Sequence, residues 1–101
     1  MTPEYTRGQT RIAVNVGEPF SVRLAANPTT GHEWQPVFDP ARLELLGSEF
    51  MPPQEGVGTG GAERFDWRAR VAGATWLCLA YRRPWESGAA SDEVAFEVIV
   101  A

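Results

Sequence analysis

Lysine is missing from this chain altogether, and all nine of its basic residues are arginine. Thirteen acids outnumber them for a net charge of -4, so the sequence carries no positive excess for phosphate backbones or anionic lipid. Neither nucleic acid nor a membrane is an expected partner. The one cysteine, Cys78, cannot form an internal disulfide and leaves the redox compartment open. One cysteine and one histidine, His32, cannot supply the three or four ligands of a zinc site, so no metal is expected. A Cys-His-Asn set drawn from Cys78, His32 and Asn27 would need an exposed, electropositive thiol. Cys78 lies between Leu77 and Leu79, where a thiol is expected to be a small buried hydrophobe. No catalytic residue and no cofactor follow from this sequence, and an enzyme is not expected.

Long apolar runs are also missing. The longest charge-free stretch, Val71 to Tyr81, is eleven residues, against about 18–20 needed for a helix to cross a bilayer. The opening residues, Met1 to Arg7, lack a basic segment followed by an apolar one, so no secretory signal is read there. A cytoplasmic chain, or the mature form of a secreted or periplasmic one, is expected. No window keeps a helical period.

What the chain does have is a period of two. Ile12, Val14 and Val16 alternate with polar or small residues, and after Gly17-Glu18-Pro19 the same pattern returns at Phe20, Val22 and Leu24. Trp34 to Phe38 and Leu43 to Phe50 read as two further strands, with Leu45-Leu46 blurring the alternation in the second. Phe65, Trp67, Ala69 and Val71 fall on one face of a strand and Arg64, Asp66, Arg68 and Arg70 on the other. Thr75 to Tyr81 and Glu93 to Val100 complete the set. About seven or eight short strands, with turn signals every 8–12 residues or so, predict an all-β chain, an immunoglobulin-like antiparallel β-sandwich. With 101 residues the whole chain, 1–101, is expected to form one domain. Trp34, Trp67 and Trp76 sit within strand periods and are assigned to packing. Glu63, Asp66, Asp92 and Glu93 are assigned to solvated faces.

Three loops carry more than such a sandwich requires. Asn27-Pro28-Thr29-Thr30-Gly31-His32 is stiffened by Pro28, and Gly31 permits positive φ. Pro52 to Gly61 holds four glycines in its last six positions, a backbone able to lie flat against another surface. Arg83-Pro84-Trp85 puts a large indole on a turn. In immunoglobulin-like connectivity these three loops emerge at one end of the sandwich, which argues for a binding surface.

The residues that carry a resemblance are now in view: Asn27-Pro28-Thr29-Thr30-Gly31 followed by Trp34, then Gly58-Thr59-Gly60-Gly61, then Arg83-Pro84-Trp85, in that order. From Ile12 to Val100 the chain resembles the chagasin family, inhibitors of papain-like cysteine proteases. The resemblance implies three loops that straddle the protease cleft as a wedge. Thr29 and Thr30 would reach the catalytic cysteine and histidine, and Gly58 to Gly61 would lie in the substrate cleft. Arg83-Pro84-Trp85 would dock on the far wall. It implies a reversible, competitive, non-covalent inhibitor, monomeric, with a papain-like cysteine protease as its protein partner. One departure is His32, where the family usually has Tyr or Phe. A histidine ordinarily titrates near pH 6.5, which predicts inhibition that varies with pH. The alternatives are a small adhesion or carbohydrate-binding module using Trp85 and the glycine-rich loop as a platform, a structural piece of a larger surface protein, or a Trp85 folded back over the sandwich edge.

Overall fold

The computed structural model describes residues 2–26, 31–52, 61–85 and 88–101. Eight strands are present among them: β1 (Glu4–Tyr5), β2 (Arg11–Val14), β3 (Pro19–Ala26), β4 (Glu33–Phe38), β5 (Leu43–Met51), β6 (Gly61–Ala69), β7 (Gly73–Arg82) and β8 (Asp92–Val100). They form two four-stranded sheets, in the orders β1-β3-β6-β5 and β2-β8-β7-β4. The alternation read from the sequence sets which side of each strand is dry. Phe20, Val22 and Leu24 of β3, Phe65 and Trp67 of β6, Leu77 and Leu79 of β7, and Val94, Phe96 and Val98 of β8 fill the space between the sheets, all buried. Trp67 packs edge-on against Phe38, with ring centroids 4.8 Å apart. Its indole N–H finds no acceptor among the described residues, a cost of about 1–3 kcal/mol that the aromatic packing around it offsets.

The predicted all-β sandwich is present, with two refinements. The short β1 and β2 join the edges of opposite sheets in parallel, β1 beside β3 and β2 beside β8, and the segment between them crosses from one sheet to the other. The Gly17-Glu18-Pro19 turn likewise passes between sheets, since β2 and β3 are not neighbours. The blur at Leu45-Leu46 has a physical counterpart: the β5–β6 register shifts between Leu45 and Gly47, a bulge that leaves both leucines partly exposed.

Four sequence expectations are corrected. Val16 and Val71 lie just past the ends of β2 and β6 and are exposed, because the chain has already left the pleat that would have turned them inward. Trp76 and Cys78 are exposed as well. With Leu77 and Leu79 facing the core, the even-numbered positions of β7 must face water, and this parity outweighs the apolar character of the side chains. The two outer faces differ accordingly. That of the first sheet is laced with ion pairs, Arg23–Glu4, Arg64–Glu49, Arg64–Asp66 and Arg68–Glu44. That of the second presents Val37, Trp76 and Ile99.

These placements predict that Phe96→Ala destabilises the fold by about 3–5 kcal/mol. Trp76→Ser should change stability by less than about 1 kcal/mol. Urea unfolding of the two variants measures both, and equal losses would contradict an outward-facing Trp76.

Candidate functional site

Strand register brings the three loops to one end of the sandwich. Ala26, the last residue of β3, pairs with Gly61, the first of β6, and Met51, the last of β5, pairs with Ala62. In the other sheet Glu33 pairs with Arg82 and Tyr81 with Asp92. The β3–β4, β5–β6 and β7–β8 loops therefore all leave from the same edge. Of the residues singled out from the sequence, Asn27, Pro28, Thr29, Thr30, Gly58, Thr59 and Gly60 lie outside the described residues. Gly31, His32, Gly61, Arg83, Pro84 and Trp85 are described, and all six stand at this end.

Trp85 is 72% exposed, so its indole does not fold back into the sandwich. Its ring edge lies over the backbone of Gly31, which has a φ of 77°. A Cβ at Gly31 would stand 3.0 Å from Cη2 of Trp85. Glycine is required there twice over, for the left-handed backbone and for the closeness of the indole. Gly61 is constrained differently, because a Cβ would collide with the Met51 carbonyl oxygen and the Phe50 ring.

Beneath the loops the bases are joined by side chains. His32 stacks on Tyr81 with ring centroids 5.2 Å apart and 25° between the planes, and its Nε2 lies 3.0 Å from Oγ of Ser91. Tyr81 in turn packs on Trp34, with centroids 4.7 Å apart. The Trp34 indole N–H donates to the Ala25 carbonyl at 2.9 Å, and its backbone N–H points at the Glu63 carboxylate at 3.4 Å. At the start of β8, Asp92 accepts both guanidinium nitrogens of Arg7, at 2.6 and 2.5 Å, and also the Glu93 N–H. The Arg7 hydrogen bonds hold the Asp92 carboxyl below the usual carboxylate range.

A crevice of about 300 Å³ opens between the first two loops, lined by Ala26, Gly31, His32, Glu33, Phe50 and Glu63. Burial in it pushes the Glu63 carboxyl up, the Trp34 N–H opposes this, and the neighbouring Glu33 charge adds to it. Glu63 thus does not sit on a solvated face, whereas Asp66 keeps to the outer face of the first sheet, where it accepts the Ser21 hydroxyl at 2.7 Å and pairs with Arg64. Sequence alone could not locate Glu63, Tyr81, Ser91 or Arg7, since each acts on a partner remote in the chain. A larger hollow, about 460 Å³, lies along the flank of β1 and β3, away from the loops. No group of three or more potential metal ligands occurs among the described residues.

Residues 13–100 match the family model described as Chagasin family peptidase inhibitor I42. The chain belongs to the chagasin family. It is 33% identical over 95 residues to chagasin of Trypanosoma cruzi, an overlap of 86% of this chain and 84% of that protein. Among solved structures it resembles amebosin, at 29% identity and a TM-score of 0.75, over 100% of this chain and 99% of that one. It also shares the fold of the cysteine protease inhibitor EhICP2 of Entamoeba histolytica, at 18% identity and a TM-score of 0.84, over 99% of this chain and 95% of that one. Of the family's motifs, Gly31-His32 and Arg83-Pro84-Trp85 flank the neighbouring strands β4 and β7 of one sheet, and the Trp85 indole lies directly on Gly31.

The raised Glu63 value has a consequence for stability. A carboxyl that holds its proton more firmly when folded opposes folding once ionised, and the penalty is relieved as pH falls through the raised folded value. Glu63→Gln is therefore expected to stabilise the fold at pH 7 by less than about 1 kcal/mol, because water still reaches the group, and so to raise the melting temperature. The difference should shrink toward about pH 4, as the wild-type carboxyl takes up its proton. Thermal unfolding at the two pH values measures this, and a gain that does not change with pH would contradict it.

Proposed function

We propose that this chain is a reversible, non-covalent, competitive inhibitor of papain-like cysteine proteases, with residues 1–101 acting as one monomeric inhibitor domain. The observation that carries the reading is the exposed Trp85, held on a loop that shares one end of the sandwich with the two other motif loops. A large apolar side chain kept 72% in water at the tip of a braced turn is what a partner's pocket removes from solvent. Family membership supports the same target class.

Mechanistically, the wedge must fill the cleft without offering a peptide carbonyl to the nucleophile in a productive orientation, since occupying the ground state alone gives no route to turnover. Thr29 and Thr30 are assigned to the reactive cysteine and histidine, with Asn27, Pro28 and Gly31 shaping their loop. Gly58, Thr59, Gly60 and Gly61 are assigned to the substrate cleft, and Arg83, Pro84 and Trp85 to the opposite wall. His32 lies at the base of the first loop.

Steady-state titration of papain on a fluorogenic peptide tests this, with trypsin as the control protease. Competitive inhibition of papain alone is expected. Trp85→Ala should weaken it by about 2 kcal/mol or more, roughly 30-fold, and Thr30→Ala should weaken it as well. No inhibition at micromolar concentration by a folded protein would remove the reading and bring forward an adhesion or sugar-binding role.

A further inference from the structure

The His32 ring is fixed from two sides by the base of a different loop. One face stacks on Tyr81, the penultimate residue of β7, and Nε2 meets the hydroxyl of Ser91, just before β8. Ser91 is itself anchored, its N–H donating to the Tyr81 carbonyl at 2.8 Å. One residue before His32, Gly31 lies under the Trp85 indole. The end of the β3–β4 loop is thus held at three points by the β7–β8 loop and its base. Through Tyr81 and Trp34 the contact continues into the core.

We propose that His32 and Ser91 form a latch that locks the β3–β4 loop to the β7–β8 loop, so that two arms flanking neighbouring strands of one sheet meet a protease as one preformed edge, with Ser91 as a positioning residue. The imidazole suits this because it stacks flat and also bonds the hydroxyl through its edge. A phenylalanine ring would keep the stack and lose the bond. The serine hydroxyl can donate or accept, so it matches either state of Nε2. Joining the arms before contact lowers the ordering entropy lost on docking, and that is where affinity is gained at fixed area. The latch rests on the inhibitor reading for its function, but its existence in the free protein does not.

The test therefore has two parts. In the free protein, NMR should show that Ser91→Ala shifts both the His32 ring signals and the Trp85 indole N–H signal, while Ser91→Thr, which keeps the hydroxyl, restores them. A Trp85 signal unmoved by Ser91→Ala would overturn the coupling of the two loops. Against papain, Ser91→Ala and His32→Phe should each raise the inhibition constant by about 3- to 10-fold. The double variant should be no weaker than the weaker single variant, because both remove the same bond. Losses that multiply, or a Ser91→Ala variant that inhibits like wild type, would overturn the positioning role. A wild-type protein that leaves papain untouched would instead overturn the inhibitor reading, and the NMR comparison would still decide whether the latch exists.

Discussion

One residue, through its indole and its backbone, meets the base of every loop at the candidate site. Trp34, 4% exposed, donates its indole N–H to Ala25, beside the start of the β3–β4 loop. It offers its backbone N–H to Glu63, just after the glycine-rich loop, and it packs on Tyr81 beneath the β7–β8 loop. A buried indole of this kind contributes a large apolar contact and one directional bond, and both are satisfied here. The bases of the three loops are consequently placed by the core. Trp67, at the centre of the same core, has no acceptor for its N–H among the described residues and so packs without imposing a direction.

The two sheets contribute unequally to this end of the molecule. The β3–β4 and β7–β8 arms are joined by the His32–Ser91 contact and by the seat of Trp85 on Gly31, whereas the glycine-rich segment leaves from the opposite sheet, across the crevice lined by Glu33 and Glu63. Among the described residues the joined edge thus belongs to one sheet and Gly61 to the other. Such an arrangement suits a cleft that must be spanned with little rearrangement on binding.

Much of the architecture was legible in the sequence because sheet sidedness has a period of two, and Phe20, Val22, Leu24, Val94, Phe96 and Val98 keep it without interruption. Where residue type and parity conflict, parity decides, and that is why Trp76 and Cys78 face water although both are apolar enough to suggest a core. The motif loops were legible for a different reason, since proline and glycine at fixed positions mark backbone that must bend or lie close to something. What the sequence did not reveal is contact between elements far apart in the chain. Glu63 looks like an ordinary acid at a strand start until Trp34 is placed across from it, and Arg7 looks like a solvated terminus until it meets Asp92. Pairings across a sandwich leave no local periodicity to read.

The parallel pairing of β2 with β8 ties Arg11 to Glu97 and Val14 to Val100, so the second sheet takes its full order only when both ends of the chain have met. Contacts of such long sequence separation make folding slow relative to helical domains of equal size. β7 and β8 form a hairpin with Tyr81 opposite Asp92 and can pair early, whereas β4 and β2 reach that hairpin only from far along the chain. Ser91 and Asp92 belong to the hairpin, and His32 meets them only when β4 docks on β7. The end of the sandwich that carries the site is thus completed by the long-range pairings and not by the local one.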